Sequence, residues 1–397
     1  MPNSESKTDP EEKTGSISFT KRLAFATIPF LGFLVLVAAV EIVTRLAMSP
    51  VSSLDLFVTT PQQKTQVADA KQSGIFEGDP LLLWRLKPDL DNVIWDFTVV
   101  STNSDHLRSE KAGGVIPAKK TGSIRVVCLG DSVTFGYRVP VVFPNAPTAY
   151  APDWLPYPML LEKQLRAANP NRNIDVITMA VPGYTSSQGL AWLRRDIDKL
   201  KPDLLTVSYG WNDASFSDVP DRDALKTDWS SVVVRWFVDH SQAFAHLTNW
   251  LRAKDATRQA EAANVPSSPP QPKPTPQSRT STEEYLGNIT AVEQLAHDRG
   301  SAVIVIAAPY RDHGSDAPEA DQMLRNRLAL GETMREKGVP FLELRVLTED
   351  AYPANNDLFG ERIHPNHMGH RLLASELLKL IDSGHMLSDL KIPTFTP

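Results

Sequence analysis

Hydrophobic positions fall into three successive patterns along this chain. From 23 to 40 runs an uncharged stretch of 18 residues in which Thr27 is the only polar side chain, and helix-compatible spacing continues through Ile42, Val43 and Leu46. As a helix, this stretch is long enough to cross a hydrocarbon core of about 30 Å. From 76 to 122 the apolar residues come in short strand-like pieces around Phe76, Trp84 and Val93-Ile94-Trp95, which predicts a small β-rich extension packing beside whatever follows. Beyond 123, β-branched runs alternate with segments of helical period. Strands are predicted at 124–129, 174–179, 204–209, 302–308 and 341–344, and helices at 158–168, 187–200, 282–298, 321–337 and 366–381. In 282–298 the apolar positions Tyr285, Ile289, Val292 and Leu295 line one face, and the wholly apolar run 302–308 suits a strand covered on both sides. This alternation predicts an α/β domain over 123–385, a three-layer α/β/α sandwich on a parallel sheet.

The remaining segments are read by composition. Residues 1–22 form a polar tail, 48–75 a stalk rich in Ser, Thr and Gln, and 386–397 a C-terminal tail. A proline-rich stretch at 265–280 predicts an extended, solvated linker. Just before it, 229–256 is helical in pattern and strongly apolar, through Trp236, Phe237, Phe244, Leu247 and Trp250. Closing the core is its default reading, ahead of covering a site or docking on a bilayer. A second interruption, 137–157, carries Phe143, Tyr150 and Trp154 and reads equally as a surface loop or as a wall of a pocket.

The apolar run at 23–47 reads as an uncleaved transmembrane anchor, because a polar tail precedes it and no small-residue exit site follows. Lys21 and Arg22 abut it on the amino side with Lys7 and Lys13 behind, whereas the far side offers Arg45 and then no basic residue until Lys64. The positive-inside bias puts the amino terminus in the cytoplasm and the α/β domain outside, periplasmic or extracellular. In 397 residues, 42% hydrophobic, there is material for a sizeable core, and a formal charge of −6 leaves no electrostatic footprint for a nucleic-acid partner. The single cysteine, Cys128, cannot form an intramolecular disulfide and reads as a buried strand residue.

Chemistry concentrates where predicted strands end. Gly130-Asp131-Ser132-Val133-Thr134-Phe135-Gly136 follows the strand at 124–129 and puts a hydroxyl at a strand-to-helix turn. Val181-Pro182-Gly183-Tyr184 follows 174–179, Gly210-Trp211-Asn212-Asp213 follows 204–209, and Glu361-Arg362-Ile363-His364-Pro365-Asn366 precedes the final helix. Loops after parallel strands converge on one sheet edge. In order and in placement these four segments resemble the blocks of the SGNH (GDSL-like) hydrolases over roughly residues 124–383. The resemblance implies ester or acyl-group chemistry, with Ser132 as nucleophile, His364 as base, and an oxyanion hole from the amides of Ser132 and Gly183 and the side chain of Asn212. It departs from the family pattern at one place, where Glu361 stands for the usual aspartate. Asp357 and a backbone carbonyl are the alternative partners for His364.

Several residues have plainer readings. Asp131 and Asp213 are expected to hold loops by accepting backbone N–H bonds. His364, His367 and His370 recur every third residue, but Pro365 and Gly369 break a common face, so no metal and no cofactor is expected. His367 and His370 are expected on the surface of the last helix, capped by Asn366, and His313 is expected as an ordinary loop residue. The function this supports is a serine esterase acting on O-acetyl or other acyl esters of an envelope carbohydrate or lipid. An O-acyltransferase of the same fold and a non-catalytic, membrane-anchored binding module are the alternatives.

Overall fold

A computed structural model describes residues 19–57, 74–141, 154–217, 219–263, 277–309, 318–343, 358–361 and 363–395. Helix α1 (Phe19–Ala47) contains the apolar run; from Thr27 to Ala47 it is long and apolar enough to cross a membrane, and almost none of it is buried against protein. After it, α2 (Ser53–Phe57) and a hairpin of β1 (Phe76–Asp79) and β2 (Leu83–Leu86) lead into β3 (Val93–Trp95), β4 (Thr98–Thr102) and β5 (Arg108–Ser109). Residues 50–57, the start of the expected stalk, pack against later helices, with Ser53 and Leu56 buried.

The α/β region follows in the expected alternation: β6 (Ile124–Gly130), α3 (Ser132–Phe135), α4 (Tyr157–Ala168), β7 (Ile174–Ala180), α5 (Ser186–Leu200), β8 (Leu204–Ser208) and α6 (Trp211–Ala214). A short pair of strands, β9 (Phe216–Ser217) and β10 (Gln277–Ser278), brackets α7 (Asp221–Ala224), α8 (Trp229–His240) and α9 (Gln242–Ala263). The chain then forms α10 (Thr282–His297), β11 (Ala302–Ile306), α11 (Pro318–Lys337), β12 (Phe341–Leu342) and α12 (His367–Ser383).

One sheet of eight strands, in the order β12-β11-β8-β6-β7-β5-β4-β3, runs through the molecule. Its β12, β11, β8, β6 and β7 are parallel, and β5, β4 and β3 continue it antiparallel. The β-rich extension is thus joined to the main sheet by hydrogen bonds, through the pairing of Arg108 with Thr178. Successive residues of β6 point to opposite faces, as the two-residue period of a strand requires. Val127 and Leu129 enter a core with α5, α10 and the extension, while Val126 and Cys128 enter a second core with α4 and α12. Burial pushes the Cys128 thiol up to about 12, so it packs as a small hydrophobe.

Two segments depart from their readings. Helices α8 and α9 do not close the core: Val238 and Ala245 pack with Leu56 in a small cluster, and Trp229, Trp236, Phe237, Leu247 and Trp250 stay exposed. Nearer the sheet, Arg279 and Thr280, at the end of the proline-rich stretch, are buried rather than solvated, because Asp221 pairs with the Arg279 guanidinium at 2.9 Å. Residues 264–276 lie outside the described residues.

Candidate active site

The strand order places β6 between β7 and β8, the point where neighbouring connections leave in opposite directions and α/β sheets form a crevice at their carboxyl edge. β6 ends there at Gly130, where a Cβ would lie 2.1 Å from Thr134 Oγ1 and 2.9 Å from the Ser208 carbonyl oxygen, so no side chain fits the turn. Asp131 caps α3 by accepting from the Val133 amide at 3.0 Å, which leaves Ser132 as the first helical residue. After β7, Gly183 takes the left-handed φ of +84°, a conformation that favours glycine. Its carbonyl accepts from Arg279 Nη1 at 2.7 Å. After β8, the Asn212 side-chain amide donates to the Tyr184 carbonyl at 3.0 Å and faces Asp131 Oδ2 at 3.3 Å.

The segment before α12 folds back on itself: Phe359 pairs with Pro365, and the Gly360 amide donates to the His364 carbonyl at 3.1 Å. This turn aims His364 at the segment after β6, its Nε2 lying 2.8 Å from Ser132 Oγ, while Nδ1 bonds to Glu361 Oε1. The extra methylene of glutamate therefore does not prevent the contact. Asp357 lies outside the described residues. The hydrogen bond from His364 holds the Glu361 carboxyl below its ordinary range, against partial burial and with help from Arg138, whose Nη1 is 3.8 Å from Glu361 Oε2.

The sequence reading left out the groups around this pair. Arg138 is itself held by Asp96, Nη2 to Oδ1 at 3.2 Å, and Tyr137 donates its hydroxyl to the other oxygen of the same carboxylate. The Tyr137 ring lies against His364, with centroids 4.5 Å apart. Trp95 ends β3 and Asp96 begins the turn to β4, so the extension supplies part of the site wall. A cavity of about 230 Å³ is bounded by Trp95, Tyr137, Trp211 and Asn212, with Ser132 and His364 in its lining. The first residues of the 137–157 loop thus border the cavity, whereas 142–153 lie outside the described residues. From β5, the buried Arg108 donates to the carbonyls of Phe135, Gly136 (2.7 Å) and Val139 (2.8 Å), fixing the backbone that follows Ser132, and to Val99 (3.1 Å) in β4.

Asp131 and Asp213 both accept backbone bonds, from Val133 and from Ser186, as expected of loop-holding carboxylates. Burial raises Asp131 to about 7 and Asp213 to about 6. The three spaced histidines have separate surroundings. His367 stacks on Trp154 with centroids 4.0 Å apart. His370 corrects its reading: it is fully buried rather than on the surface, because α12 turns that side toward α4, where Nδ1 accepts from the Tyr157 amide at 3.1 Å. Asn366 caps α12, accepting from Met368 and Gly369. Among the described residues no group of three or more His, Cys, Asp or Glu is placed to hold a metal ion; His313 lies outside them.

The sequence profile of the GDSL-like lipase/acylhydrolase family matches residues 128–372. Among solved structures, the chain is similar to an acetylxylan esterase from Geobacillus stearothermophilus, 17% identical over 66% of this chain and 96% of that one, with a TM-score of 0.40. It is also similar to an α/β hydrolase enzyme from the metagenome of Lake Arreo, Spain, 17% identical over 67% of this chain and 98% of that one, with a TM-score of 0.41. Comparison with curated proteins gave no match.

Proposed function

Because this chain belongs to the GDSL-like lipase/acylhydrolase family and is a serine hydrolase acting on ester bonds, we propose that it cleaves short acyl esters through Ser132, with His364 as base and Glu361 as the carboxylate that orients it. The observation that carries this reading is the continuous chain of contacts from Ser132 Oγ to His364 Nε2 and from His364 Nδ1 to Glu361. Ser132 Oγ attacks the acyl carbonyl as its proton passes to His364 Nε2. The tetrahedral oxyanion takes hydrogen bonds from the amides of Ser132 and Gly183 and from the Asn212 Nδ2 hydrogen that faces Asp131 before substrate binds. Collapse breaks the ester C–O bond, His364 protonates the departing alcohol, and the acyl group remains on Ser132. Water, deprotonated by His364, then releases the acid and restores the serine. Glu361 keeps Nδ1 protonated and Nε2 free to accept, and it stabilises the imidazolium while the charge lasts.

The cavity of about 230 Å³ favours an acetyl or similarly short acyl group over a long chain, and its aromatic walls suit the C–H face of a sugar. We take α1 as a single-pass anchor with its amino terminus in the cytoplasm, on the strength of Lys21 and Arg22 before the apolar run. The site then faces the envelope side, where O-acetylated carbohydrate or an ester-bearing lipid is the substrate.

Treatment with a fluorophosphonate probe tests the nucleophile. Labelling is expected in the parent and lost in Ser132→Ala at unchanged thermal stability, and labelling that survives the substitution overturns the assignment. A series of acyl esters of one alcohol should show hydrolysis falling with chain length beyond acetyl. Acyl transfer to an added glycan at the expense of hydrolysis would identify a transferase instead.

A further inference from the structure

Of the twelve large apolar side chains that are exposed beyond Met48 among the described residues, seven lie between Trp229 and Leu251. Six of them form two stripes at helical spacing, Trp229, Trp236 and Phe237 on α8 and Leu247, Trp250 and Leu251 on α9, and the seventh is Val234 on α8. Trp229 is 80% exposed and Trp250 57%, values far from those of a packed interior. Isolated exposed apolar residues are ordinary, but this many on two consecutive helices, four of them Trp or Phe, mark an interaction surface.

Where this face sits is set by the end of α1. Glu41, in the last part of the apolar run, accepts from Ser241 Oγ at 2.8 Å and from the amides of Gln242 and Ala243 at 2.9 and 3.0 Å, which caps the first turn of α9. Arg45 donates to the His240 carbonyl at 3.0 Å and His246 Nε2 meets the Ser49 carbonyl at 3.0 Å. Ser53 binds Asp239 through both its amide and its hydroxyl at 2.8 Å. Helical rise from Glu41 to Ala47 amounts to about 9 Å, so the corner between α8 and α9 is fastened within the depth of a membrane interface. Charge agrees with that position: residues 247–258 carry Arg252, Lys254 and Arg258 against the single acid Asp255, and Lys254 lies 4.9 Å from the Trp250 ring centroid.

We propose that the exposed face of α8 and α9 lies on the same bilayer that α1 crosses, with Trp229, Trp236, Phe237, Leu247, Trp250 and Leu251 at headgroup depth. Tryptophan and phenylalanine above a basic fringe are the composition of an in-plane, monotopic surface. This inference rests on reading α1 as membrane-spanning. It makes the catalytic domain a body held at a fixed height by two contacts, one crossing the membrane and one lying on it.

The test uses the full chain in vesicles of phosphatidylcholine and phosphatidylglycerol, with one environment-sensitive fluorophore on a cysteine introduced as Phe237→Cys, Leu247→Cys, Phe33→Cys in α1, or Val115→Cys on a remote exposed site. Cys128 is buried and does not compete for the label. Retained ester hydrolysis shows that each variant is folded. Labels at 237 and 247 should be quenched several-fold more by lipids brominated near the headgroup than by aqueous iodide, the label at 33 by lipids brominated deep in the chain, and the label at 115 by iodide alone. Iodide quenching at 237 and 247 equal to that at 115, with lipid quenching retained at 33, overturns the docking. Shielding from both quenchers at 237 and 247 means that a second copy of the chain covers the face, and also overturns it. Lipid quenching at 237 and 247 without any at 33 refutes the anchor, and with it the proposal that the face lies on a bilayer that α1 crosses.

Discussion

At the scale of single residues, the proposed mechanism depends on Glu361 more than its exposure would imply. Its carboxylate receives the His364 ring N–H on one oxygen and faces Arg138 with the other, so the imidazole is aimed by a group that is itself held. Replacing Glu361 by Gln removes the charge but keeps the size, and the amide then presents a donor to a donor. The expected result is a fall in kcat on the order of 10²- to 10⁴-fold with KM little changed. Steady-state kinetics on an acetyl ester checks it, and an undiminished kcat would mean that another group orients His364. Ser132, His364 and Glu361, the residues of this chain of contacts, were readable before any fold was known, because each sits in a short local motif. Asp96 and Arg138 were not. Nothing local in Trp95-Asp96-Phe97 marks a site, and Asp96 reaches Arg138 only because the turn from β3 to β4 folds across more than forty intervening residues.

At the scale of elements, α12 carries a pH-sensitive contact. His370 lies in its buried face, and desolvation lowers its pKa from 6.5 to about 3. Below about pH 6.5 the imidazole of the unfolded chain takes up a proton that the folded ring refuses. Within that window the unfolded state binds more protons, so stability falls as pH falls, by about 1.4 kcal/mol per pH unit from this group. His370→Gln keeps an acceptor for the Tyr157 amide and removes the titration. Its melting temperature should therefore drop less than that of the parent between pH 6.5 and 4.5; equal drops would assign the dependence to other groups. The periodicity of α12 was legible, but its count of apolar positions did not say that a histidine would share the buried face. The same limit applies to α8 and α9, whose apolar residues indicated a helix without indicating that protein would cover so few of them. Strands β6, β7, β8 and β11 were legible because burial on both faces leaves short runs dominated by β-branched and other apolar residues, unbroken in β11 and interrupted only by Arg125 in β6, Asp175 and Thr178 in β7, and Thr206 and Ser208 in β8.

For the whole molecule, the extension and the α/β region share a core. Ile75, Leu82, Trp84 and Trp95 pack in one cluster with Phe135, Tyr184 and Trp192, and Trp95 meets both Phe135 and Tyr137 edge to face. The two parts are expected to unfold together. Thermal melting followed by tryptophan circular dichroism and by loss of ester hydrolysis should give one midpoint, and an earlier spectroscopic step with activity intact would show the extension opening alone. Sequence indicated a β-rich lead-in but not its continuity with the sheet, since the pairing of Arg108 with Thr178 joins strands that nothing local links.

Arg108 gives that continuity a practical meaning. One guanidinium, supplied by the extension, satisfies three carbonyls of the turn that follows Ser132 and one in the neighbouring strand. A chimaera that transplants only residues 123–385 onto another lead-in would leave those carbonyls orphaned, so the smallest portable catalytic unit begins upstream, with the paired strands β4 and β5 that bring the arginine.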